Sequence, residues 1–360
     1  MVEREVVGKS KTRRKMIYMR YEIINKYTPL KRGVRRVLGL LIVLFISSCS
    51  TEPQQKTKKI TPQKPKVKIE VPIFNADSAY YFVEKQVNFG PRVISSKEWM
   101  NCAIWLEKKL KTYTPNVIIQ EAPVTTYDGK NHTLKNIIAS FSPEKNNRVA
   151  LFAHWDSRHI ADHDTENTNS PILGANDGGS GVGILIEMAR QFSIENPKIG
   201  VDIILFDAED YGQEENSTHP IMQDSWCLGS QHWSKTPHKA NYNARYGILL
   251  DMVGAKNATF YMEGYSSYFA SSILQKVWGK GNKLGYGNHF VYKNGAEIMD
   301  DHLYVNHLAH IPTIDIIEYD PSSVSHFNKH WHTHKDDMDN IDKNTLNAVG
   351  QTLLEVIYNE

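Results

Sequence analysis

Three apolar stretches of this sequence each end directly in acidic or imidazole side chains. The stretch 148–153 runs into His154 and Asp156, the stretch 201–206 into Asp207–Asp210, and the stretch 247–250 into Asp251. Near-continuous apolar stretches of this length predict central β-strands that are covered on both faces. If the strands are parallel, their carboxyl ends meet at one edge of a sheet, where α/β proteins bind ligands. The sequence therefore predicts a polar site at that edge.

Other strand-like and helical segments alternate along the rest of the chain. Further strands are predicted at 117–121, 136–141 and 311–317, and helices at 76–85, 95–111, 181–192, 266–278, 300–308 and 343–358. Alternation of this kind places helices on both faces of the sheet. The predicted fold class is therefore α/β, a three-layer α/β/α sandwich with a mixed, mostly parallel central sheet.

Charge divides the chain into unlike parts. The whole chain has 42 basic and 40 acidic side chains, whereas residues 71–360 contain 24 basic and 35 acidic ones. An acidic body argues against nucleic-acid binding, which requires a basic face. We therefore predict three parts, a signal peptide at 1–49, a flexible tether at 50–70 that is rich in Lys, Pro, Gln and Thr, and a single folded domain at 71–360.

The first part has the pattern of an export signal. Basic residues at 31–36 precede the apolar run Val37–Ile46, which rises about 15 Å as a helix and is too short to span a bilayer core of about 30 Å. The run ends in Ser47-Ser48-Cys49, which resembles the lipobox of bacterial lipoproteins. That resemblance implies acylation of Cys49 and a lipid-anchored protein of the Gram-negative cell envelope, periplasmic or in the outer membrane. A plain signal peptide is the alternative.

Two further segments add side chains to the predicted site. A glycine-rich turn before the helix at 181–192 contains Asp177, and a loop before the last helix contains His332. Two carboxylates and one imidazole suit Zn²⁺, because three protein ligands leave one position open for substrate. If Asp210 binds the metal, the adjacent Glu209 is free for proton transfer.

Six motifs follow one another in a fixed order. They are HWDSR at 154–158, GANDGGSGVG at 174–183, FDAED at 206–210, LLDMVGAKNATF at 249–260, DDH at 300–302 and WHT at 331–333. In this order they resemble the zinc exopeptidase fold of the bacterial zinc aminopeptidases, and within it they look most like the glutaminyl cyclase branch. The resemblance covers roughly residues 75–358.

The two branches imply different metal centres. Resemblance to the aminopeptidases implies two zinc ions and Glu209 as base, with the ligands His154, Asp177, Asp210, Asp251 and His332. Resemblance to the cyclases implies one zinc ion and Glu209 as acid and base. The cyclase ligands would be Asp177, Asp210 and His332, with Asp251 and Asp300 in a carboxylate network.

Local features favour the cyclase branch. Trp331 precedes His332, where cyclases have an aromatic pocket wall, and Asp300 stands where peptidases usually have a neutral residue. Animal cyclases have Glu at the position of Asp210. The shorter Asp is still a potential metal ligand. The resemblance therefore implies conversion of the N-terminal Gln of peptides to pyroglutamate with release of ammonia, with a zinc aminopeptidase as the alternative. Phe327 is predicted to line the pocket with Trp331.

Three interpretations concern the remaining polar residues. His154 is predicted to lie at the site, as a pocket residue or as a ligand of a second zinc ion. His159, Asp162, His163 and Asp164 lie in a polar insert and are predicted to form a solvated loop over the mouth of the site. The sequence leaves open whether Cys102 and Cys227 form a disulfide.

Overall fold

A mixed sheet of six strands lies at the centre of the computed structural model, which describes residues 70–360. The predicted signal peptide and the tether as far as residue 69 lie outside the described residues and stay predictions. The strands are β1 (Val117–Thr125), β2 (Asn131–Phe141), β3 (Arg148–His154), β4 (Gly200–Phe206), β5 (Gly247–Asp251), β6 (Phe260–Met262), β7 (Phe290–Asn294) and β8 (Thr313–Ile317). The central sheet has the order β1-β2-β4-β3-β5-β8, while β6 and β7 form a separate pair.

Parallel pairing brings the predicted strand ends together. Strand β3 pairs in parallel with β4 on one side and β5 on the other, and β5 pairs in parallel with β8. Strands β1, β2 and β4 pair in antiparallel fashion. The carboxyl ends of β3, β4 and β5 therefore lie side by side at one edge. The prediction of a mixed, mostly parallel sheet is confirmed, and all six predicted strands belong to it.

Alternate residues of the central strands enter two separate hydrophobic cores. In β3, Val149 and Leu151 belong to the larger core, whereas Ala150 and Phe152 belong to the smaller one. This division follows from the two-residue period of a strand, which points successive side chains to opposite faces. Burial on both faces explains why the strands are almost uniformly apolar in sequence.

Helices cover both faces of the sheet. The α-helices are α1 (Ala76–Val87), α2 (Lys97–Lys111), α3 (Gly179–Ile194), α4 (Leu228–Lys235), α5 (Gly264–Phe269), α6 (Ser271–Lys283), α7 (Asp301–Tyr304) and α8 (Lys343–Tyr358). Helices α1, α3 and α8 contribute to the larger core, and α4 contributes Trp233 to the smaller one. Within residues 70–360, no helix has both the length and the apolarity needed to cross a membrane.

The structure departs from the predicted helices at two places. The single helix predicted at 266–278 is divided into α5 and α6 at Ala270, whose φ of −138° is not helical. The helix predicted at 300–308 is the short α7 followed by a π-helical turn, Val305–Ala309. Helix α4 and the strands β6 and β7 were not predicted, because elements this short show little periodicity.

Candidate active site

Three neighbouring strands bring the predicted polar side chains to one edge of the sheet. Strand β3 ends at His154, β4 is followed by Asp207–Asp210, and β5 ends at Asp251. These side chains are all buried. The site therefore begins with imidazole and carboxyl groups on adjacent strand ends, as the sequence predicted.

Asp156 fixes the turn that follows β4. Its two carboxylate oxygens accept hydrogen bonds from the backbone N–H groups of Glu209 and Asp210, each at 3.1 Å. Ala208 in this turn has a left-handed φ of 53°. This role of Asp156 was not predicted from the sequence. The only indication of it in the sequence is that Asp156 lies two residues after His154. The carboxylate of Asp156 therefore orients the two acidic residues.

The glycine-rich turn before α3 brings Asp177 to the same edge. Asp336 accepts hydrogen bonds from the backbone N–H groups of Asn176 and Asp177, at 2.8 and 3.0 Å. Gly178 has a φ of +78°, and a Cβ there would lie 2.8 Å from Cε1 of His154. Only glycine allows so close an approach, so the turn can pack directly against the end of β3.

His332 completes a group of three potential metal ligands. Its Nε2 lies 3.3 Å from Oδ1 of Asp210 and 3.7 Å from Oδ2 of Asp177. Each of the three residues offers one ligand atom within 4.8 Å of the others. Oδ2 of Asp177 and both carboxylate oxygens of Asp210 are buried without a hydrogen-bond partner.

This group fits the metal that the resemblance implies. Buried, unpartnered carboxylate oxygens are unfavourable unless a cation compensates them. Two carboxylates and one imidazole form a suitable three-ligand set for Zn²⁺ with an open fourth position. Asp177, Asp210 and His332 are therefore the candidate zinc ligands.

Burial and crowding of carboxyl groups shift the proton affinities at this edge. Burial and the neighbouring Asp177 raise the pKa of Asp210 to about 6. Burial and the charge of Asp251 raise the pKa of Asp300 to about 6. Burial also raises the pKa of Glu209 well above its usual value, and Asp300 and Asp210 act in the same direction. Glu209 is thus suited to exchange a proton with a bound molecule.

A second group of potential ligands adjoins the first. Nε2 of His154 lies 3.1 Å from Oδ1 of Asp177 and 3.2 Å from Oδ1 of Asp251. Burial disfavours the charged form of His154. The neighbouring Asp156, Asp177 and Asp251 nevertheless raise the pKa of His154 well above its usual value. The group can therefore bind a second ion or keep a protonated imidazole between two carboxylates. Because His154 is 1% exposed and does not line the cavity, it belongs to this carboxylate cluster rather than to the pocket wall.

The candidate ligands and Glu209 open into one cavity of about 150 Å³. Its aromatic wall includes both predicted pocket residues, with the Trp331 ring 4.8 Å from Phe327 and stacked 3.8 Å from His332. The lining residues are Asp177, Glu209, Asp210, Trp226, Asp251, Met252, Ile298, Met299, Asp300, Ile317, Phe327, Trp331 and His332. The cavity thus combines an apolar wall with an acidic floor.

Cys227 contacts Glu209 directly, and the sequence did not predict this. Its Sγ lies 3.2 Å from Oε1 of Glu209, and its backbone N–H donates to the Glu209 carbonyl at 3.0 Å. Cys102 and Cys227 are both free and buried. Cys227 therefore holds the candidate acid–base residue rather than forming a disulfide.

The prediction of a solvated loop is wrong for two residues of the polar insert. Oδ1 of Asp162 lies 3.0 Å from Nδ1 of His332, and the ring of His159 stacks 3.9 Å from Tyr211. These contacts join residues far apart in the chain, so hydrophobic periodicity in the sequence could not predict them. Asp164 pairs with His334 nearer the surface.

The indole of the pocket residue Trp226 packs directly against Gly212, where there is no room for a side chain. A Cβ at position 212 would lie 1.8 Å from Cδ2 of Trp226. We expect Gly212→Ala to displace the indole and to raise the KM for substrate roughly tenfold, because an aromatic wall is lost. Steady-state kinetics would measure this. Gly279→Ala is the control, since position 279 likewise has no positive φ and a Cβ there meets nothing closer than 3.6 Å, and an unchanged KM in Gly212→Ala would contradict the prediction.

Comparison with known proteins agrees with this geometry. The model of peptidase family M28 matches residues 136–357. A glutaminyl-peptide cyclotransferase of Dictyostelium discoideum is 30% identical over 258 residues, which are 66% of each chain. The chain spans about two thirds of the length of the curated cyclotransferases that it matches.

Solved bacterial structures are more similar. Glutaminyl cyclase of Bacteroides thetaiotaomicron is 53% identical with a TM-score of 0.79, over 81% of this chain and 100% of that one. A Zn-dependent exopeptidase from Parabacteroides distasonis is 54% identical with the same TM-score and the same coverage. On the family match, supported by the fold and by the site's position at the strand ends, this chain belongs to peptidase family M28.

Proposed function

We propose that this chain is a zinc-dependent glutaminyl-peptide cyclotransferase, which converts the N-terminal Gln of peptides to pyroglutamate and releases ammonia. The observation that carries the proposal is that Glu209 shares one small, aromatic-walled cavity with Asp177, Asp210 and His332. Asp300 lines the same cavity and raises the pKa of Glu209. The names of its relatives, among them the cyclase from Bacteroides thetaiotaomicron, support the same activity.

The cavity positions the substrate for ring closure. Trp331, Phe327 and Trp226 form apolar surfaces against which the methylene groups of a Gln side chain can pack. A small cavity favours a side chain folded back on itself, so that the α-amine approaches its own Cδ and the reaction is intramolecular. A bound zinc ion would polarise the γ-carboxamide oxygen and make Cδ more electrophilic.

Glu209 transfers the proton that the reaction requires. Its carboxylate accepts a proton from the α-amine as the bond between that nitrogen and Cδ forms. It then donates the proton to the amide nitrogen as the bond from Cδ to that nitrogen breaks, and ammonia leaves. No water is consumed, and the carboxylate is regenerated. A raised pKa suits Glu209 to both steps, because it must accept and donate at the same pH.

The decisive experiment incubates the purified protein with a peptide that begins with Gln. We expect loss of one ammonia, seen by mass spectrometry and by ammonia release, with every residue of the peptide retained. The same peptide with an acetylated N-terminus is the matched control, since it lacks the nucleophilic amine. Release of free Gln from the unblocked peptide would contradict the proposal.

A second candidate function is a zinc aminopeptidase. The observation that favours it is the second ligand group of His154, Asp177 and Asp251, which could hold another ion beside the first. A peptide beginning with Leu tests it in the same assay. Free Leu as a product would support an aminopeptidase, and an intact Leu peptide beside a cyclised Gln peptide would exclude it.

The proposal extends to the location of the enzyme. Cys49 follows a basic stretch, an apolar run and two small residues, which supports a lipid-anchored enzyme of the cell envelope. Cells given a labelled fatty acid should incorporate the label into the wild-type chain and not into Cys49→Ala. An exported wild-type chain without the label would favour a plain signal peptide instead.

A further inference from the structure

We infer that Arg158 and Asp162 form a positioning pair that orients His332 towards the metal ion. This inference rests on the proposed zinc site and deepens it, because neither residue is among the proposed ligands or touches the substrate. It assigns a role to the polar insert after β3, which brings Asp162 against His332.

The first step is the contact between Asp162 and His332. Nδ1 of His332 lies 3.0 Å from Oδ1 of Asp162, while Nε2 of the same ring faces Asp210 and Asp177. A carboxylate at this distance from one ring nitrogen favours a proton on that nitrogen, which leaves the other nitrogen with a free lone pair. Asp162 therefore leaves Nε2 of His332 as the metal-binding atom and limits rotation of the ring.

The second step is the anchoring of Asp162 by Arg158. Nε and Nη2 of Arg158 donate to the two carboxylate oxygens of Asp162, at 3.1 and 2.8 Å. Such a bidentate pair fixes the direction of both groups. The Arg158 side chain is completely buried, so the pair has little freedom to rearrange.

The third step connects this pair to another candidate ligand. Nη1 of Arg158 donates to the backbone carbonyls of Asp210 and Gly212, at 2.9 and 2.8 Å. The guanidinium also lies 4.3 Å from the ring centroid of Trp226. One buried side chain therefore holds the backbone of Asp210, the carboxylate behind His332 and an indole of the cavity wall.

The experiment compares zinc binding by the purified holoenzyme and its variants. We expect Asp162→Ala to weaken zinc affinity roughly 10- to 100-fold in competition with a chelator, which is the usual effect of losing such a partner. Asp162→Asn should lose less, because its amide oxygen can still face Nδ1 of His332 at a similar distance. Asp164→Ala is the matched control, since Asp164 lies in the same insert and pairs with His334. Its zinc affinity should be unchanged.

Two further readouts separate positioning from simple support of the fold. In the cobalt-substituted protein, Asp162→Ala should shift the visible absorption bands, because the geometry of the metal ligands changes. Arg158→Lys keeps the charge but loses the bidentate contact, and it should weaken zinc binding and lower kcat more than it raises the KM. Unchanged zinc affinity and an unchanged cobalt spectrum in Asp162→Ala would overturn the inference.

Zinc affinity and the cobalt spectrum do not depend on the reaction. If the wild-type protein fails to cyclise a Gln peptide while Asp162→Ala still weakens zinc binding, the proposed function fails and the positioning pair stands. If the wild-type protein cyclises the peptide and Asp162→Ala binds zinc normally, the pair merely supports the insert.

Discussion

Glu209→Gln is expected to reduce kcat/KM for a Gln peptide roughly 10²- to 10⁴-fold, the range of a general acid–base contribution. The amide is close to the carboxylate in shape but cannot accept the proton of the α-amine. Its neighbours should remain in place, because Asp156 holds the backbone of this turn and not the side chain of Glu209. Glu209 is not one of the three candidate zinc ligands, so zinc should remain bound.

The measurement pairs steady-state kinetics with metal analysis of the same sample. Glu166→Gln is the control, since Glu166 is an exposed residue of the insert, and its kinetics should match the wild type. Activity of Glu209→Gln within a few-fold of the wild type would show that another group moves the proton. A variant that is inactive because it has lost its zinc would place Glu209 at the metal instead.

Removal of zinc by a chelator is expected to abolish cyclisation and to lower the thermal stability of the protein. Asp177 and Asp210 would then keep buried carboxylate oxygens without a compensating cation. Burial of an unpaired charge raises the free energy of the folded state more than burial of a paired one. A ligand that binds only the folded state also stabilises it, by an amount that grows with the logarithm of its affinity, so its loss lowers the melting temperature. Activity and melting temperature should both return when zinc is added back.

A pair of histidine variants tests whether this effect arises at the proposed site. His332→Ala should bind zinc weakly and should be nearly inactive with its native metal content. His334 lies two residues further on and pairs with Asp164, so His334→Ala should retain both zinc and activity. Full activity of the chelator-treated protein would contradict a metal enzyme. Titration of activity with zinc gives the number of ions, for which the proposed cyclase requires one per chain.

The site could be predicted where its residues follow regular elements. Asp210 and Asp251 follow apolar strands, and the sheet rule places their side chains at one edge. Asp177 could be found because a glycine-rich turn precedes a helix. In each case the local sequence pattern determines the position of the side chain in the fold.

The remaining contacts depend on packing between segments that are distant in the chain. Asp162 meets His332 through a loop, and Cys227 meets Glu209 from the start of α4, a helix too short to predict. The break at Ala270 depends likewise on the surrounding fold, since the local sequence continues a helical pattern. Neither hydrophobic periodicity nor spacing contains this information.

The order of the candidate ligands along the chain has a consequence for the biogenesis of the protein. Asp177 belongs to a turn before α3, whereas His332 comes after β8, so that strands β4 to β8 lie between the two ligands in the chain. A chain emerging from the ribosome therefore has no complete ligand set until the last strand of the central sheet, β8, has appeared. Contacts between such distant segments also form slowly during folding. Binding of a metal ion by all three candidate ligands thus follows synthesis of the whole central sheet.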